Sequence, residues 1–121
     1  MPILANILVS IVALLHLWFL ALEMFLWQKP LGLKVFRMSQ EKAEMTAVLA
    51  GNQGLYNGFL AAGLFTSFAT GSSDVAFAFR IFFLICVIIA GLYGAVTVSR
   101  KILYVQTVPA ALALAMVWIS H

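Results

Sequence analysis

Apolar residues run in long, nearly unbroken blocks, and the few charges fall between them. Residues 1–22, 45–73, 81–99 and 102–120 carry no charged side chain. A helix that spans a bilayer needs about 20 predominantly apolar residues. The pattern therefore predicts four spans, at about 3–27, 43–70, 76–99 and 102–120. The runs are too long and too continuously apolar for the strands of a membrane barrel, which alternate over roughly 10 residues. The expected fold is an all-α membrane protein, a four-transmembrane-helix antiparallel bundle forming one integral membrane domain over 1–121. The first run lacks a basic leader and a small-residue cleavage site, so it reads as a retained span.

The connections fit this division. Residues 28–38 hold Pro30 and Gly32, both helix breakers. The alternation of Lys34 and Arg37 with Leu33, Val35, Phe36 and Met38 suits a segment lying at the headgroups. Ser39 is the expected N-cap of the second span, with Glu41 and Glu44 in its first turn. Gly71-Ser72-Ser73-Asp74 makes a tight turn, and Arg100-Lys101 joins the last two spans as antiparallel neighbours.

Composition closes off the alternatives. Of 121 residues, 64% are hydrophobic and only 9% are charged, against about 25% charged in soluble domains. Mean hydropathy is +1.09. A soluble domain of this size cannot hide so much apolar surface, which excludes a water-soluble enzyme and a nucleic-acid binder. The net charge of +3 reads as loop charge beside anionic membrane lipid. Lys29, Lys34, Arg37, Lys42, Arg100 and Lys101 fall on one side and Arg80 alone on the other. The positive-inside rule then puts both termini outside a cytoplasmic membrane. The single cysteine, Cys86, can form no internal disulfide and reads as a small core residue.

Polar residues inside the spans are the candidate chemistry. Glu23 is the one carboxylate within a span, and an intramembrane acid is a functional candidate because it is costly to insert. It lies about 9 Å from the inner boundary at 1.5 Å per residue. On the same scale Asn52 and Gln53 lie roughly 12–15 Å deep, Tyr93 about 10 Å, and Gln106 with Thr107 about 8–9 Å. All four spans thus place a polar group in the inner half of the bilayer. A second tier, about 20 Å from the inner end, holds His16, Tyr56 and Asn57. At 100° per residue His16, Glu23 and Trp27 share a stripe of about 40°. On the second span Asn52, Gln53, Tyr56 and Asn57 are expected on one side. Gly51, Gly54 and Gly58 are expected on the other, a close-packing face within the chain or toward a second copy. Pro109 removes the hydrogen bond to the Val105 carbonyl and is expected to loosen the last span beside Gln106.

Leu22-Glu23-Met24-Phe25-Leu26-Trp27 and the stretch Ala50-Gly51-Asn52-Gln53-Gly54-Leu55-Tyr56-Asn57-Gly58-Phe59-Leu60-Ala61-Ala62-Gly63 resemble a family of small membrane proteins. It is catalogued as domain of unknown function number 1304. Val105-Gln106 with Pro109-Ala110 fits the same look. The resemblance covers essentially the whole chain. It implies four spans and that the Glu23 and 52–57 segments belong together, but it brings no activity with it.

Three functions compete. The first is binding or carriage of a small amphipathic or lipidic ligand in a polar pocket. Glu23, His16, Asn52, Gln53, Tyr56, Asn57, Tyr93 and Gln106 would line it. The second is a membrane-embedded isomerase or hydrolase using Glu23 as acid/base with His16 or Tyr93. The third is a proton-coupled exporter. Small multidrug exporters share the length, the four spans and one acid in the first, but their charge bias is weak and their local motifs differ. One buried His and one buried acid are too few for a metal site, and no cofactor is expected.

Overall fold

The computed structural model describes residues 2–121, and the described residues form helices and short connections. In chain order these are α1 (Pro2–Met24), α2 (Pro30–Phe36), α3 (Gln40–Ala69), α4 (Ser73–Thr97), a π-helical segment (Leu103–Thr107) and α5 (Val108–Ser120). Among the described residues, three stretches are long and apolar enough to cross a membrane: Pro2–Met24, Ser73–Thr97 and Leu103–Ser120. The expected fourth span, α3, is the longest helix at 30 residues, but it is not one of the three. Asn52, Gln53, Asn57 and its glycines dilute its apolar density. The chain divides into two compact units, Leu15–Phe59 and the remainder, to which Leu60–His121 and the start of α1 belong.

In the 15–59 unit, α1 ends where Phe25 and Leu26 both donate their N–H groups to the Ala21 carbonyl at 3.0 Å. The next segment corrects the expectation that Pro30 and Gly32 break helix, because both sit inside α2. Pro30 occupies its first turn, where the missing N–H would have had no partner in any case. Gly32 is buried because the preceding chain folds directly onto it. A Cβ there would collide with the Leu26 carbonyl oxygen and stand 2.7 Å from that of Trp27. Arg37, left-handed at φ 52°, ends the helix with its N–H on the Leu33 carbonyl. Ser39 Oγ then accepts from Lys42 N at 3.1 Å, the expected N-cap of α3. Trp27 staples these pieces together. Its indole N–H donates to Thr46 Oγ1 at 3.2 Å, and its ring lies 4.7 Å from that of Phe36.

The second unit has a core of small and branched residues. Val9, Val12 and Ala13 of α1 pack with Leu64 of α3, Leu84 and Val87 of α4, and Ala110, Ala113 and Val117 of α5. Ser72 caps α4, accepting from Val75 N at 3.3 Å. Pro109 loosens the last span as expected. The helix ahead of it widens to π geometry over Leu103–Thr107, and Val108 N–H reaches five residues back to the Leu103 carbonyl. The bulge presses Thr107 against Gly91, where a Cβ would collide with the threonine hydroxyl and lie 2.9 Å from its backbone nitrogen.

Candidate functional site

The site is built where the last turn of α1 meets the middle of α3. Gly54 and Gly58 make this approach close. A Cβ on Gly54 would stand 3.0 Å from Glu23 Cβ and 2.7 Å from Met24 Cγ, and one on Gly58 would stand 2.7 Å from Leu20 Cδ1. The absence of side chains at these two positions lets the helix backbones come near enough for short polar side chains to meet. Gln53 and Asn57, four residues apart on one face of α3, both reach Glu23. Asn57 donates its Nδ2 to Glu23 Oε1 at 2.5 Å. Gln53 donates its Nε2 to Oε2. Both carboxylate oxygens are therefore engaged. Glu23 is only 4% exposed and Asn57 7%, whereas Gln53 is exposed. One half of the clasp is interior and the other lies at the surface.

The remaining site candidates are placed differently. His16 is fully buried with its ring edge-on to Phe19 at 5.2 Å. It lies seven positions before Glu23, about 10 Å away along the helix axis. Asn52 and Tyr56 are exposed. The expected division of α3 into an amide side and a glycine side is corrected. Gly54 and Gly58 lie with Asn57 toward α1, while a Cβ on Gly51 would meet nothing within 4 Å. Of the three glycines, only Gly51 is left free of packing within the chain. In the other unit, Tyr93 is 71% exposed and Gln106 is half-buried in the π segment. Among the described residues no three His, Cys, Asp or Glu side chains are grouped as metal ligands would be.

A second polar cluster falls outside the sequence expectations. Arg80, seven residues into α4, donates its Nε to Ser67 Oγ at 2.9 Å and an Nη to Asn6 Oδ1 at 2.8 Å. Its guanidinium carbon also lies 4.5 Å from the centre of the Phe68 ring. A signal for it exists in the sequence: the rule that singles out an acid within a span applies equally to an arginine. Counting Arg80 only as loop charge hides it.

The chain matches the family described as "Protein of unknown function (DUF1304)" over residues 10–118. It is also 35% identical over 116 residues to the uncharacterized protein YpaA of Lactococcus lactis subsp. lactis (strain IL1403). That alignment covers 94% of this chain and 96% of the relative. No solved structure matches.

Proposed function

The chain belongs to the DUF1304 family, whose description names no activity, and we propose from its own residues that it binds or carries a small amphipathic ligand at Glu23. The observation that supports this is the clasp itself: a buried carboxylate whose two oxygens accept from Asn57 and Gln53. Neutral amides alone suffice to tie membrane helices together at about 0.6 kcal/mol per contact. Glu23 sits in the last turn of α1, where an acid costs less than the about 2.5–3.5 kcal/mol of a span centre, but it is buried, and a tie between helices does not require an ionisable group there. Because Gln53 is exposed and Asn57 is buried, the ligand has a natural point of entry. A ligand hydroxyl or amine displaces Gln53 from Oε2 while Asn57 keeps Oε1 in place.

In this reading α3 is a fourth span, with Gln53 and Asn57 turned to the site, and the chain forms an antiparallel four-helix bundle. Six basic residues against one put both termini outside. The same asymmetry argues against an exporter of the kind that inserts both ways up. An enzyme needs a second proton-transfer group beside Glu23. His16 lies about 10 Å away along α1 and is buried, and Tyr93 is largely exposed, so binding is the better reading.

Native mass spectrometry of the purified protein, with lipidomics of whatever it releases, tests the proposal. A co-purifying small amphiphile is expected, lost in Glu23→Gln and Asn57→Leu. Wild-type protein that releases nothing of the kind contradicts it.

A further inference from the structure

In the unit that contains Leu60–His121, a cavity of about 180 Å³ opens where the first turns of α1 and α4 meet the end of α5. Asn6, Ser73, Arg80, Ser120 and His121 supply its polar lining. No Asp or Glu side chain is among the described residues that line it. Beside it, an apolar groove of about 480 Å³ runs between α4 and α5, lined by Ile81, Ile85, Leu114, Ala115 and Trp118. Phe77 links the two. Its ring stacks on His121 at 3.7 Å and lies 5.8 Å from the ring of Trp118.

We propose that cavity and groove together hold one anionic phospholipid, its phosphate at Arg80 and an acyl chain along the groove. The two groups that position Arg80, Ser67 and Asn6, are neutral oxygen acceptors. They orient the guanidinium without cancelling its charge. A planar, fixed guanidinium is the side chain best suited to phosphate. The cavity is below the usual size of a whole-ligand pocket, about 300–1,000 Å³, and fits a headgroup alone. The groove offers only hydrocarbon, which an acyl chain matches. Polar and apolar halves adjoin in the order that an amphiphile requires. Glu23 is not among the residues that line it, and the proposal does not depend on the ligand proposed there.

The test uses the delipidated full chain in detergent, incubated with dioleoyl phosphatidylglycerol, dioleoyl phosphatidylcholine or inorganic phosphate and read by native mass spectrometry. The anionic lipid is expected to remain bound as a single molecule, with the zwitterionic lipid, whose choline cation offsets the charge of the same phosphate beside Arg80, retained about ten-fold less. Arg80→Gln is expected to lower phosphatidylglycerol retention by a similar factor, and Glu23→Gln to leave it unchanged. Arg80 also ties helices together, so Ala115→Phe is the second variant. It fills the groove from an exposed position, leaves the Arg80 contacts alone, and is expected to lower retention of the lipid. Equal retention of both lipids, full retention in Ala115→Phe, or inorganic phosphate binding as tightly as the lipid would each overturn the assignment. The last would point to a free-anion site.

Discussion

Asn57 stands 34 residues after Glu23 and donates its side-chain amide to Glu23 Oε1 at 2.5 Å, so α1 and α3 are joined at a buried carboxylate. Replacing Asn57 with Leu removes one of that carboxylate's two donors. The expected loss is about 1–3 kcal/mol of stability, the range for leaving a buried polar atom unsatisfied, read from unfolding of the detergent-solubilised protein in SDS. In a double-mutant cycle with Glu23→Gln the two losses should be less than additive, with a coupling of about 0.5–3 kcal/mol. Strict additivity would mean that the contact does not hold the helices.

Gly54 and Gly51 are neighbours on α3 with opposite expected tolerances. Gly54→Val forces a side chain into Met24 and Glu23, where a Cβ alone would already be 2.7 Å and 3.0 Å away. Overpacking of this kind costs about 1–3 kcal/mol. Gly51→Ala meets nothing within 4 Å and should be neutral or stabilising by up to about 1 kcal/mol. The same unfolding titration separates the two, and equal effects would contradict the packing described.

Gly32→Ala should unfold α2, because the Cβ would meet backbone oxygens that cannot move aside like a side-chain tip. Trp27 reports it. With the Phe36 contact and the Thr46 hydrogen bond released, its emission should change and its accessibility to a water-soluble quencher should rise. Unaltered Trp27 fluorescence, against the background of Trp18 and Trp118, would show that α2 tolerates the methyl group.

Pro109→Ala restores an N–H able to bond to the Val105 carbonyl. The π segment should then tighten toward α geometry. Amide hydrogen exchange at Leu103–Thr107 is expected to slow, and Cα chemical shifts there should move toward α-helical values. If neither changes, the bulge is held by the packing of Thr107 on Gly91 rather than by the proline.

Charge and periodicity carry most of this architecture. Uncharged runs locate the long helices, and the cost of a buried acid picks out Glu23. The spacing of Gln53 and Asn57 puts two amides on one face of α3. Which α3 face turns inward is not legible in the same way, because helical angles give relative directions only. The buried positions Ala50, Gly54, Asn57, Ala61 and Leu64 follow a 4-3-4-3 spacing that mixes small, polar and apolar types, so sorting amides from glycines divides one contact ridge into two. The short α2 escapes because proline reads as a breaker unless the helix start is known. The Arg80 cluster escapes because Asn6 and Ser67, its partners, are 74 and 13 residues away in sequence.

The most direct measurement is the ¹⁵N side-chain amide spectrum of Asn57 and Gln53 in lipid nanodiscs, before and after adding a native lipid extract. Hydrogen-bonded resonances for both, collapsing in Glu23→Ala, are expected in the free protein. The extract should then perturb Gln53 strongly while Asn57 keeps its bonded signature. Amide resonances indifferent to Glu23→Ala, or a Gln53 signal untouched by any component of the extract, would contradict a ligand site at this carboxylate.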